Sequence, residues 1–150
     1  MDNFIIGFRV TTSASYGKGH LVRCIELAKA FKNKVIFYTD PNYKSDIRIN
    51  TIPESNEFTA DNAIKDLKNN SINVLFFDNY NIDSKAIEEV SRTYMCAVID
   101  DYKIQWRHPF IFSPNLGSKV SHYKNNKNVF AGPKYALISE KFHDQGLLNS

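Results

Sequence analysis

Short apolar runs alternate with amphipathic stretches along the chain. Phe4 to Val10 reads as a first strand, and Thr11 to Lys18 as a polar loop that runs into Gly17-Lys18-Gly19. From His20 to Phe31, the residues Leu21, Cys24, Ile25, Leu27, Ala28 and Phe31 line one broad face, which predicts a helix. Lys34 to Tyr38 predicts a second strand, and Asp40-Pro41 break the chain after it. Ile47 to Ile52 alternates apolar and polar residues, as an edge strand would, and Pro53 ends it. A helix over Ala60 to Asn69 has Thr59 as its cap. Asn73 to Phe77 is the plainest buried strand and closes on Asp78. Asp83 or Ser84 caps a helix that runs to about Tyr94. Cys96 to Ile99 is a strand ending at Asp100-Asp101, and Phe110 to Phe112 is a short strand before Pro114 and Asn115. Lys124 to Asn128 reads as a surface loop, and Tyr135 to Ile138 is the last apolar segment.

Strands that are apolar throughout, alternating with helices, predict an α/β fold: a parallel, Rossmann-like sheet covered on both faces. In such sheets ligands bind beyond the carboxyl ends of the strands. Four places meet that condition and converge on one crevice: the Thr11–His20 loop, Asp78-Asn79-Tyr80, Asp100-Asp101 and Pro114-Asn115.

Length and composition narrow the picture. The 150 residues suit one domain with a core of its own. A net charge of +3 without a long basic run argues against nucleic acid as a partner. The start of the chain lacks the pattern of a signal peptide, and no stretch approaches the roughly 18 apolar residues of a membrane span. The two cysteines, Cys24 and Cys96, fall in a helix and a buried strand, as reduced core thiols of a cytoplasmic protein would. Cys and His do not cluster at zinc spacing, and the scattered aspartates do not make a magnesium centre.

Chemistry concentrates at the first loop. Gly17-Lys18-Gly19 before a helix has the makings of an anion cradle, since glycine lets a ligand approach the backbone and a helix start offers unpaired N–H groups. The spacing is neither that of a P-loop nor that of a dinucleotide fingerprint, and a tight strand-to-helix turn uses the same residues. His20 lies in the first helical turn, where the positive helix end disfavours imidazolium, so a neutral ring there can take a proton from water. Lys18 and Arg23 have the charge to meet phosphate or carboxylates. Arg9, in the first strand, needs a partner if buried, with Asp78 or Asp100 expected. Asp78 and Asp100 either bind sugar hydroxyls, orient His20, or cap their own loops.

Taken together, Phe8-Arg9 through Gly17-Lys18-Gly19-His20-Leu21-Val22-Arg23-Cys24 resembles the opening signature of the UDP-sugar hydrolases of the pseudaminic acid pathway, a signature shared by spore-coat polysaccharide proteins. Asp78-Asn79-Tyr80, Asp100-Asp101, His108-Pro109, Asn115 and Gly132-Pro133-Lys134-Tyr135-Ala136-Leu137-Ile138, followed by Glu140-Lys141-Phe142, extend the likeness in the same order. Those hydrolases release UDP from UDP-2,4-diacetamido-2,4,6-trideoxy-β-L-altropyranose and are similar in fold to two-domain GT-B glycosyltransferases. The resemblance implies that His20 activates the attacking water and that neither metal nor other cofactor is needed. It places Tyr80 and Asn115 in or near the sugar-binding crevice, where Gly17, Lys18, Gly19, Arg23, Asp78 and Asp100 are the further candidates to bind the substrate. It also implies that residues 1–142 correspond to the N-terminal domain, that 143–150 are a divergent tail, and that the UDP-binding domain lies outside these 150 residues, either because the gene product is truncated or because the second half is a separately encoded partner. Thr11 departs from the pattern, which often has Asp there. A glycosyltransferase domain and a non-catalytic orphan domain are the competing readings.

Overall fold

A computed structural model of the chain describes residues 4–13, 15, 18–40, 43–44, 51–53, 59–78 and 82–136. Its strands are β1 (Ile5–Val10), β2 (Lys34–Thr39), β3 (Thr51–Pro53), β4 (Ile72–Asp78), β5 (Met95–Ile99), β6 (Phe110–Ser113) and β7 (Val129–Ala131). They form one sheet in the order β3-β2-β1-β4-β5-β6-β7, and every pairing is parallel. The chain therefore winds outward from β1 in one direction and then returns to build from β4 in the other. The point of reversal lies between β1 and β4, the feature that gives a Rossmann-like sheet its ligand crevice.

Side-chain alternation divides the core. Ile6, Phe8 and Val10 of β1, Phe37 of β2, Phe76 of β4 and Ala97 and Ile99 of β5 face helix α1 (Gly19–Lys29), whose Leu21 and Cys24 are buried against them. The opposite parity, including Ile36, Tyr38, Leu75, Phe77, Cys96 and Val98, packs under α2 (Ala60–Asn69) and α3 (Ser84–Ser91) through Ala63, Leu67, Ile87 and Val90. On the α1 side, Phe37, Phe8 and Phe76 occupy registered positions of adjacent strands, and Phe8 stacks on the other two at 5.2 and 4.9 Å between centroids. The small Ala97 on β5 leaves room for Phe76 to meet Phe112 of β6, which stacks in turn on Phe130 of β7. Each such ring buries a large apolar area. Gly7 lies on the other face, where an added Cβ would meet Leu75 Cδ1 at 3.0 Å and Tyr38 Cε2 at 3.4 Å, so its lack of a side chain lets those residues close over β1.

The sequence expectations hold for most elements. Thr59 Oγ1 caps α2 by accepting from the Asn62 N–H, and Asp83 caps α3 by accepting from the Lys85 N–H. Three differ. Helix α3 stops at Ser91, where the backbone turns through Arg92–Tyr94 into β5. Strand β7 follows the expected surface loop directly; three residues are too few to show a period-two pattern. The partner of Arg9 is neither Asp78 nor Asp100. Arg9 has the parity of the α2/α3 face, and so has Asp40 at the end of neighbouring β2; the two are 3.7 Å apart, while Asp78 points to the α1 side. Residues 45–50, much of the expected edge strand, lie outside the described residues, as do 137–138 and the tail over 143–150.

Candidate functional site

The carboxyl ends of β1, β4 and β5 and the first turn of α1 meet at the point of reversal. Val10 pairs in register with Asp78, and the Thr11 N–H donates to the Asp78 carbonyl at 3.0 Å, which fixes the end of β4 beside the loop. Since Asp78 shares the parity of Phe76, its side chain lies under α1. There it meets His20, Arg23 and Cys24, which are i, i+3 and i+4 on a helix and therefore share one face.

Asp78 is buried, at 1% exposure, and its carboxylate is the hub. Arg23 grips it with two N–H donors, Nε to Oδ2 at 2.5 Å and Nη2 to Oδ1 at 2.6 Å. His20 Nδ1 lies 2.8 Å from Oδ1, and the Cys24 thiol donates weakly to Oδ2 at 3.5 Å. Arg23 also reaches Asp101, with Nη2 to Oδ2 at 2.9 Å and Nη1 to Oδ1 at 3.2 Å. Asn115 Nδ2 donates to the same Asp101 Oδ1 at 2.8 Å, so the network runs from α1 across β4 and β5 to the loop after β6. Burial works against the guanidinium charge of Arg23, but the hydrogen bonds and charges of Asp78 and Asp101 outweigh it and raise its pKa further.

The Asp78 carboxylate decides the tautomer of His20. Ionised and gripped by Arg23, it only accepts hydrogen bonds, so Nδ1, 2.8 Å from Oδ1, donates to it. Arg23 Nη2 also lies within hydrogen-bond reach of Nδ1, at 3.1 Å. In the neutral ring the basic lone pair belongs to Nε2. An imidazole oriented by a buried carboxylate, with its second nitrogen basic, is the arrangement a general base requires.

The other expected residues are placed as follows. Lys18 occupies the cap position of α1 with no cap bond from its side chain, and Gly19 begins the helix in open space, with nothing near a notional Cβ. Asn115 is exposed at the rim. Gly17 and Tyr80 lie outside the described residues. Asp100 is not brought to the cluster. Its parity turns it to the opposite face, where its oxygens accept from the N–H groups of Tyr102 at 2.8 Å and Ile104 at 2.9 Å. Burial pushes its carboxyl up, against the pull of those amides and of the polar edges of Tyr123 and Trp106. Asp101, the second member of the double Asp, is the one that joins the site. His108 stands apart: its Nδ1 meets Glu88 of α3 at 2.5 Å, beside a cleft of about 600 Å³ whose lining includes none of the cluster residues.

The chain matches no family model and no curated protein.

Among the described residues, no group of three or more His, Cys, Asp or Glu is arranged to hold a metal ion. Among them, too, no helix is long and apolar enough to cross a membrane. The cluster instead offers acid–base chemistry at one imidazole, with its carboxylate partner held by an arginine.

Proposed function

We propose that this domain supplies the general base of a nucleotide-sugar hydrolase acting on a UDP-linked 2,4-diacetamido-2,4,6-trideoxyhexose, in the biosynthesis of pseudaminic acid or a surface polysaccharide. The observation that carries this reading is the hydrogen bond from His20 Nδ1 to buried Asp78, which leaves Nε2 as the proton acceptor. It is supported by the position of the pair at the carboxyl edge between β1 and β4, and by the sequence likeness described above. The substrate class comes from that likeness.

In this mechanism a water beside His20 gives a proton to Nε2 as its oxygen attacks the anomeric carbon. The bond from that carbon to the UDP oxygen breaks, and UDP leaves with the electron pair. Asp78 steadies the imidazolium that forms. UDP is a good leaving group, so the base matters more than an acid. In this reading Gly19, Lys18 and Asn115, all exposed, meet the sugar or its phosphates. The nucleotide itself is held by a second α/β domain, and the reaction takes place in the cytoplasm.

The test is UDP release from the UDP-sugar in ¹⁸O-water, without an acceptor, by the chain together with its complementing domain. The label should enter the free sugar, and His20→Asn should lower kcat by about 10²-fold or more with little change in KM. UDP release that requires an acceptor alcohol would make the domain a transferase. Near-normal turnover by His20→Asn would remove His20 from the mechanism.

A further inference from the structure

Strand β5 passes to β6 without an α-helix. The connection, residues 100–109, runs beside α3 on the face opposite α1, with Trp106 buried in the core there. Glu88 of α3 clamps it: Oε1 accepts from the Arg107 N–H at 2.6 Å, and Oε2 meets His108 Nδ1 at 2.5 Å. The cleft of about 600 Å³ lies between the two, lined by Lys85, Glu89 and Arg92 of α3 and by Arg107 and His108 of the connection. That volume falls within the ~300–1,000 Å³ of small-molecule sites. Its charge is positive: Lys85, Arg92 and Arg107 stand against Glu88 and Glu89, and both oxygens of Glu88 are already engaged. From Tyr102 to Ala136 the chain has no Asp or Glu, so the connection brings no acid of its own. Among the described residues, Lys85, Arg92 and Arg107 form no ion pair. Cations gathered on the walls of one cleft focus a positive potential inside it.

We propose that this cleft is a second ligand site, separate from the His20 crevice, and that it takes a sugar phosphate or a similar hydroxylated phosphate ester. Lys85, Arg92 and Arg107 bring charge and N–H donors to the phosphate, which the two guanidinium groups can grip through paired N–H groups. A phosphate dianion has no hydrogen to give, yet the cleft also holds acceptors. The Glu89 carboxylate is one. The other is Nε2 of the neutral His108 ring, since Nδ1 donates to Glu88. Hydroxyl groups on the same ligand answer both. Inorganic phosphate would leave those acceptors unanswered, and an unphosphorylated sugar would leave the cations so.

The experiment is a titration of the ¹⁵N-labelled full chain with glucose 6-phosphate, near neutral pH and at fixed ionic strength, followed by the backbone amides and the His108 ring. Saturable shifts should be confined to residues 84–92 and 105–108, with a Kd of about a millimolar or tighter. Glucose and inorganic phosphate should each bind at least about 10-fold more weakly. Arg92→Gln and Arg107→Gln, both at exposed positions, should each weaken glucose 6-phosphate by about 10-fold or more. Lys34→Gln, also exposed but outside the cleft, should leave the affinity as it is. Absence of saturable shifts at the cleft would overturn the proposal. So would shifts centred on Gly19 to Arg23, which would put the phosphate in the His20 crevice, or inorganic phosphate binding as tightly as the ester. Should one arginine variant lose its native spectrum, the other decides. Native affinity in a folded arginine variant, or loss of fold in both, would likewise sink the site.

Discussion

Replacing Asp78 by Asn tests whether one buried carboxylate ties α1 to the end of β4. The two side chains have nearly the same volume, so the change is one of charge and of donor pattern. Asp78 accepts from Arg23 at 2.5 and 2.6 Å and from His20 at 2.8 Å, at 1% exposure. An asparagine amide presents one oxygen and one NH₂ group. With its oxygen toward His20 and Nη2, the NH₂ group faces Arg23 Nε and the Cys24 thiol, and a donor meets a donor. The opposite flip loses both the His20 and the Nη2 bonds. The first arrangement is cheaper and forfeits one charge-assisted bond, worth about 1.5–3 kcal/mol. Arg23 also loses a full counter-charge, though Asp101 still holds it at 2.9 Å. We therefore expect a loss of about 2–4 kcal/mol, short of the 3–5 kcal/mol typical when a buried ion is left with no partner at all.

Asp101→Asn is the matched control. That carboxylate is 18% exposed and Asn keeps an acceptor oxygen, so the loss should stay near 0.5–1 kcal/mol. Trp106 provides the assay. It is the chain's sole tryptophan and is buried in the core on the α2/α3 face, so its fluorescence in urea reports unfolding of the core. A domain of this size has about 5–15 kcal/mol of stability, enough to keep both variants folded. If Asp78→Asn costs no more than Asp101→Asn, the carboxylate is not the hub, and the orientation of His20 must be sought elsewhere.

Other outcomes follow from burial and charge. Burial pushes the Cys96 thiol up to about 11, and burial next to Asp78 raises that of Cys24 as well, so neither should react with an aromatic disulfide reagent at pH 8 until guanidinium exposes both; prompt native reaction would contradict their packing. Burial raises the Asp100 carboxyl, so the folded state holds its proton where the unfolded chain has lost it. The stability this group contributes is fully present below the ordinary carboxylate value of about 3.9 and is lost as pH rises through the raised folded value. Urea midpoints of the unmutated chain relative to Asp100→Asn should fall across that window, and a flat or rising difference would refute the cause. UDP alone should bind the chain only in the millimolar range or weaker, about −4 kcal/mol or less favourable, and micromolar binding by calorimetry would contradict a nucleotide site on a second domain.

Fold class was legible because the strands are apolar on both faces. Val74-Leu75-Phe76-Phe77 cannot be half-exposed, and once several such runs alternate with helices a covered parallel sheet follows. Caps were legible for a similar local reason, since Thr59 and Asp83 act on amides two or three residues away. Strand order was not, because the pairing of β1 with both β2 and β4 depends on contacts between residues far apart in sequence. Nor was β7: it is three residues long, and its place is set by the parallel pairing of Phe130 with Phe112.

The site was legible as a set of strand ends but not as a set of faces. Each strand end offers two neighbouring side chains that point in opposite directions, and sequence alone does not say which face carries α1. Asp100 and Asp101 illustrate the cost. Both follow β5, both are acidic, and only register against β4 sends one to Arg23 and the other to the amides of Tyr102 and Ile104. Arg9 and Val10 divide in the same way, which is why Arg9 meets Asp40 while the α1 face belongs to Asp78. A signal was nonetheless present. Arg23 and Cys24 follow His20 at i+3 and i+4, so a helix that buries Cys24 must also turn His20 and Arg23 towards the sheet. A part-buried arginine that keeps its charge needs carboxylate partners, and Asp78 and Asp101 both answer it. Asp78 also reaches His20, and that second contact is what makes the two acids different residues rather than interchangeable ones.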